Sequence, residues 1–125
     1  MAYTEEQIKE IENTFREEGT MDADEHVEHI EKGDIYPSIF SNYPGFYYFT
    51  NKQVIFANGI GLYSMHASYS DITDIKKSVV GPLLPFGITI TAKTENGKSK
   101  NYKFSLLNRA KWLDYLAEKT GLSYS

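Results

Sequence analysis

Helical spacing of apolar residues governs the two ends of this chain, and alternation governs its middle. Near the start, Thr4 and Gln7 form a capping-box pattern, Ile8, Ile11 and Phe15 make one apolar stripe, and Gly19 is placed to stop a helix. Asp22 repeats the start signal. Asp22, Asp24 and Glu25 suit the positive end of a second helix, Ala23, Val27 and Ile30 give its stripe, and Lys32 with Gly33 suits its end. Each helix is too short to be stable alone, so both stripes are expected to pack on the rest of the chain.

From Asp34 the period becomes two. "IYPSIF" (35–40), "FYYFT" (46–50) and "QVIFAN" (53–58) read as strands separated by "SNYPG" and by the Asn51-Lys52 turn. After a break at 59–61, Tyr63, Met65, Ala67 and Tyr69 share one face of a further strand. Ile72 and Ile75 stand three apart, which predicts a bulge near Thr73. Ile88, Ile90 and Ala92 alternate with Thr89, Thr91 and Lys93, "ENGK" supplies a hairpin signal, and Tyr102, Phe104 and Leu106 alternate on the return. A closing helix follows, with Asn108 as N-cap, a stripe of Ala110, Leu113, Leu116 and Ala117 with Trp112 beside it, and Gly121 after its last turn. The expected total is about seven strands and a C-terminal helix behind an acidic helical arm.

Composition adds one division. Residues 1–34 hold twelve acids and three bases, a net of -9, while the remainder nets +5 within an overall charge of -4. The arm (1–33) is therefore treated as an appendage of a mildly basic body (34–125). The 125 residues suffice for one hydrophobic core, and the chain has no cysteine, which excludes disulfides, thiolate zinc sites and cysteine nucleophiles. No apolar run approaches the ~20 residues of a membrane span, and "MAYTEEQIKE" lacks the basic-then-apolar order of a secretory signal. A soluble, cytoplasmic protein is expected.

The segments "GFYYFTNKQVIF", "YSDITDIKK" and "FGITITAKTENGKSKNYKFSLLNRAKWLDYL" together resemble the GRAM and bacterial pleckstrin-homology (PH-like) family over roughly residues 34–120. The resemblance implies a mainly β fold, a PH-like barrel of antiparallel strands in two nearly orthogonal sheets with the helix plugging one end, and a bacterial or phage origin. It also implies a binding module in place of an enzyme. The competing architecture is a cystatin-like α+β fold with the N-terminal helices on one curved sheet.

The candidate chemistry is sparse. Asp71, Asp74 and His66 offer an acid/base group, weighed against polar residues on a solvent face, which is favoured because nucleophile, oxyanion donors and glycine loop are missing. His26 and His29 with Glu25 and Glu28 raise a metal site at helical spacing, weighed against a solvated helix face. No cofactor or metal is expected. Lys76, Lys77, Lys93, Lys98, Lys100 and Lys103 form a modest basic group, read either as an anion-binding patch or as edge lysines that discourage aggregation. One expectation is that the acidic arm lies across this patch and masks it.

In the fold that the resemblance implies, "GPLLPFG" (81–87) connects the bent strand to the last hairpin, with Phe86 turning inward and Leu83 and Leu84 at a loop tip stiffened by two prolines, read either as an apolar contact point or as leucines folded under the barrel rim or over the N-terminal helices. Tyr47, Tyr48 and Tyr63 are expected outward, as at a protein interface. The favoured function is protein binding. An anionic membrane surface is the alternative, a small-molecule enzyme around His66 the third, and an acidic arm imitating nucleic acid a thinner fourth. Nucleic acid itself is not expected as a ligand.

Overall fold

A computed structural model describes residues 3–38, 40–58, 63–80 and 84–124, apart from the side chains of residues 80, 84 and 85. The order is α1 (Glu5–Glu17), β1 (Val27–Ser38), β2 (Ser41–Thr50), β3 (Gln53–Ala57), β4 (Ser64–Ser68), a 3-10 turn (Tyr69–Asp71), β5 (Ile72–Val80), β6 (Leu84–Lys93), β7 (Ser99–Leu106) and α2 (Arg109–Thr120). All strand pairs are antiparallel and form one sheet in the order β4-β3-β2-β1-β7-β6-β5. Two sheets were expected. The single sheet arises because β1 bonds to β2 along most of its length and also to β7 at Gly33, Asp34 and Ile35. It is not closed, since β4 and β5 remain its two edges.

The sheet curls around one core. Ile35, Tyr47, Phe49, Phe56, Met65, Ile75, Ile90 and Phe104, from all seven strands, pack with Trp112, Leu113 and Leu116 of α2. The crossing of β1 depends on glycine. A Cβ on Gly33 would lie 2.4 Å from the Ser105 carbonyl oxygen, and one on its partner Gly45 would lie 2.6 Å from that of Ala57. Gly33 thus marks where a strand passes between two neighbours at close range.

α1 forms as expected, with its capping box closed: the Gln7 N–H donates to Thr4 Oγ1 at 3.1 Å, and the Thr4 N–H to Gln7 Oε1 at 2.9 Å. Its stripe lies on the outer side of the sheet, where Ile8, Ile11 and Phe15 meet Val27, Ile30, Tyr48 and Ile55. The helix expected over 22–33 does not form. Residues 22–25 make a tight turn and Val27 starts β1, so the boundary drawn at 33/34 falls inside a strand. Val27 and Ile30 face α1 while His29 faces α2, an assignment that two-sided strand packing satisfies and a three-residue stripe could not hold as a helix.

Buried carboxylates tie this turn down. Glu25, 2% exposed, accepts from Thr50 Oγ1 at 2.5 Å, Gln53 Nε2 at 2.8 Å and the Asp22 N–H at 3.1 Å. Glu12 accepts from the Val27 N–H at 2.8 Å, and Arg16 donates to the carbonyls of Glu25 and Asp22.

Other expectations resolve in detail. "SNYPG" belongs to β2, which begins at Ser41, so the stretch expected to separate two strands lies inside one. The bulge near Thr73 is present as a register shift between Ile72 and Asp74. The last hairpin turns at 94–98 with Gly97 at φ 79°. Asn108 begins α2 through a left-handed backbone (φ 58°, ψ 50°), without a capping hydrogen bond from its side chain. Ala110 is exposed whereas Leu113, Leu116 and Trp112 are buried. The cystatin-like arrangement is not found, because α1 lies outside the curl and α2 inside it.

Candidate functional site

The end of β7 and the start of α2 form the lip of a cleft of about 410 Å³, lined by Lys32, Gly33, Asp34, Phe86, Ser105, Leu106, Leu107, Asn108 and Arg109. Two apolar side chains stand out of it: Phe86 is 59% exposed and Leu107 76%. The local sequence explains Leu107. Phe104 and Leu106 occupy the inward phase of β7, so the next residue leaves the strand on the solvent side before Asn108 reverses the backbone. Phe86 stands in phase with Ile88 and Ile90 but beyond the reach of the core, so it is exposed where an inward side chain was expected. Arg109 donates from Nη1 to the Gly87 carbonyl at 3.4 Å, which holds β6 against the start of α2.

The lysines divide. Cross-strand register places Lys76, Thr89 and Lys103 in one row on the outer face of β5, β6 and β7, with Lys93 further along that face. At ordinary strand spacing the two ends of the row are about 10 Å apart. Asp74, opposite Thr91, puts a carboxylate into the same patch. Lys77 stands opposite Ile88 and Lys100 opposite Ala92, both in the core phase but exposed at rims, and Lys98 lies in the hairpin turn. Lys100 Nζ sits 5.2 Å from the centroid of the Tyr102 ring. The acidic arm does not cover this face, because α1 packs on the outer side of β1, β2 and β3, at the other half of the sheet.

A second cleft, of about 480 Å³, opens between β4 and the β6–β7 hairpin and is lined by His66, Ala67, Ser68, Asp71, Ala92, Lys93, Thr94, Glu95 and Tyr102. His66 and Asp71 both reach it. Asp74 does not, standing instead on the outer face of β5. His26 and His29 are not at helical spacing. His29 meets Trp112 and Tyr115 edge-on, with ring centroids 5.6 and 5.2 Å away. Among the described residues no group of three or more His, Asp or Glu side chains is arranged to hold a metal.

Leu83, and the side chain of Leu84, lie outside the described residues; the backbone of Leu84 begins β6. The outward tyrosines are corrected. Tyr47 is fully buried, with its hydroxyl donating to the Asp34 carbonyl at 2.8 Å, and burial raises that phenol well above the usual range. Tyr48 lies under Phe15 of α1, and Tyr63 stacks on Tyr43. Both sides of β2 are covered, so neither phase of "FYYFT" reaches solvent freely. Sequence reasoning does not single out the exposed apolar positions Leu107, which the out-of-phase "LL" after "YKFS" betrays, Val79 on β5, Phe40, 88% exposed at the first turn, and Tyr3 before α1.

No family model matches the sequence, and no curated protein does. Solved structures do resemble the fold. The chain is similar to the C-terminal domain of an unknown protein from Leishmania infantum, at 19% identity and a TM-score of 0.66, over 90% of this chain and 99% of that one. It is similar to the PDZ-RhoGEF DH/PH domains crystallised in complex with GTP-γ-S-activated RhoA, at 10% identity and a TM-score of 0.66, over 86% of this chain and 33% of that one, about a third of its length. The hSac2 domain of the human phosphoinositide phosphatase Sac2 matches at 8% identity and a TM-score of 0.54, over 98% and 88%. The fold is thereby PH-like: seven antiparallel strands with a C-terminal helix inside the curl and an N-terminal helix outside it. Among the described residues no helix is long and apolar enough to cross a membrane.

Proposed function

We propose that this chain is a non-catalytic binding module of the cytoplasm, of GRAM-like and bacterial type, whose ligand is another protein held at the cleft between β7 and α2. The observation that carries the reading is the pair Phe86 and Leu107, exposed together on one cleft with Lys32 and Arg109 beside them. Paired exposed apolar groups on a concave surface with a charged rim are the anatomy of a protein interface. The PDZ-RhoGEF DH/PH domains, similar in fold, are themselves in complex with a protein. A partner segment offering an apolar side chain beside an acidic one complements both parts of the lip. The open setting of His66 and Asp71, both exposed, supports binding over catalysis. The test is selection of peptides from a displayed library on the whole chain, with amide shifts mapping where they bind. Selected peptides should perturb Phe86, Leu107 and Arg109, and Phe86→Ser with Leu107→Ser should abolish binding while the circular dichroism spectrum is kept. Peptides that bind this double variant undiminished would overturn the reading.

The outer-face lysines Lys76 and Lys103, in one row, with Lys93 further along, favour a second reading, an anionic membrane surface met by the outer face of β5–β7. Co-sedimentation with phosphatidylserine vesicles at low and physiological salt tests it, and pelleting lost on Lys76→Glu with Lys103→Glu would support it.

A further inference from the structure

The two edges of the open sheet are defended unequally. β5 carries Lys76 and Lys77 and is broken by register shifts at Ile72/Asp74 and Ser78/Val80, which are the devices that keep a sheet edge from pairing with another chain. β4, Ser64–Ser68, carries none of them: its sequence is Ser-Met-His-Ala-Ser, with no charge of fixed sign and no proline, and its register against β3 is unbroken.

The direction of its free backbone groups follows from two hydrogen bonds. The Asn58 N–H donates to the Tyr63 carbonyl at 3.2 Å, and the Tyr69 N–H to the Lys52 carbonyl at 3.0 Å, so these pairs are hydrogen-bonded pairs of the β3–β4 ladder. Bonded and non-bonded pairs alternate along an antiparallel ladder. Between those two ends, Phe56/Met65 and Val54/Ala67 are therefore bonded, and Ala57/Ser64, Ile55/His66 and Gln53/Ser68 are not. Ser64 and His66 thus aim both their N–H and their C=O groups away from β3, and Ser68 its N–H, at an edge that no other strand occupies among the described residues, while the Ser68 carbonyl opens the 3-10 turn Tyr69–Asp71. Ser64 and His66 are exposed, and residues 66–68 border the open cleft of about 480 Å³.

We propose that the partner for this edge is a second copy of the same chain, paired antiparallel through β4 about a two-fold axis at His66. The three outward residues are spaced i, i+2, i+4 and are symmetric about His66. In that register His66 faces its own counterpart and Ser64 faces the counterpart's Ser68, so both backbone groups of each His66 find partners across the axis, and each Ser68 N–H finds the Ser64 C=O of the other strand. The side chains brought face to face on the outer side are serine against serine and imidazole against imidazole, small and without fixed charge, while Met65 and Ala67 stay in the two cores. A heterologous contact would continue into a filament, but a two-fold contact uses each edge once and closes. Five-residue strands bury less than a standard interface, so the dimer is weak.

The test is sedimentation velocity of the whole chain from about 10 µM to about 1 mM, which spans the affinity of a small interface. The expected result is a concentration-dependent monomer–dimer equilibrium that His66→Lys weakens by about tenfold or more, because it sets two like charges across the axis. His66 is exposed, so the variant should melt at the same temperature as the parent; His66→Gln, uncharged and similar in reach, should dimerise like the parent. Amide exchange at Ser64, His66 and Ser68 should slow with concentration. A monomer at all concentrations, a dimer indifferent to His66→Lys, or protection that maps to Phe86 and Leu107 in place of β4 would each overturn the proposal.

Discussion

The indole of Trp112 lies flat on the ring of Phe49, with centroids 4.4 Å apart and planes 5° from parallel. The pair joins α2 to the inner face of β2, and His29 and Tyr115 pack edge-on around it. Since Trp112 is the chain's one tryptophan and is 1% exposed, its emission reports the docking of α2 directly. Trp112→Ala or Phe49→Ala should cost about 3–5 kcal/mol in urea denaturation, the usual loss for a large buried aromatic.

Glu25 organises the turn that replaces the expected second helix. Removing its carboxylate takes a charged acceptor from the buried Thr50 hydroxyl and Gln53 amide, which keep only the carbonyls of Gln53 and Thr20, and from the Asp22 N–H at the edge of the site. Glu25→Ala should therefore cost about 2–3 kcal/mol, and Glu25→Gln less, since its amide oxygen can still accept. Urea midpoints of the two variants check the order.

Gly33→Ala tests the crossing of β1. Its new methyl group would press on the backbone of β7, which cannot yield as a flexible side chain would. A loss of about 1–3 kcal/mol is expected, and the thermal midpoint of the variant measures it.

The dependence of stability on pH has two limbs. Glu28 lies 2.8 Å from Lys119 Nζ and accepts from the Tyr115 hydroxyl at 2.9 Å, and the Lys119 hydrogen bond holds its carboxyl below the ordinary value of 4.5. The folded value is lower than the unfolded one, so this contribution is complete above about pH 4.5 and fades as the pH falls through the folded value. Glu28→Gln should flatten the acid limb of urea midpoint against pH. Burial raises Tyr69 and Tyr115 above 10, so both stay protonated in the fold; stability present below about pH 10 is lost as the pH rises beyond it. Absorbance of phenolate should show these two tyrosines ionising only with unfolding.

Much of this fold was legible because one face of a strand or helix carried all its apolar residues. The β6–β7 hairpin and α2 have that character, and their order resembled the family from which the PH-like fold was expected. What failed were the segments covered on both sides. "QVIFA" is buried at Gln53, Val54, Ile55 and Phe56 because Ile55 lies under α1 while its neighbours face the core, and Tyr48 is hidden for the same reason. The assignment of 22–33 to a helix failed at Gly33, read as a helix stop when its task is to let two strands pass. The candidate site was partly visible. The lysines were found by type, but which of them share a face depends on pairing between strands distant in sequence, and Leu107 showed only as a break of phase.

The contact between β1 and β7 bears on how the protein comes into being. Ile35 meets Phe104 across the whole length of the sheet's sequence, so the hairpin of β1 and β2 emerges from the ribosome long before the strand that completes its inner wall. Until translation has passed Leu106 and α2, the aromatic face of Tyr47 and Phe49 stays bare to solvent. A nascent chain stalled short of β7 is thus an adhesive object, and the cell's burden in making this protein falls on the interval between its first strand and its last.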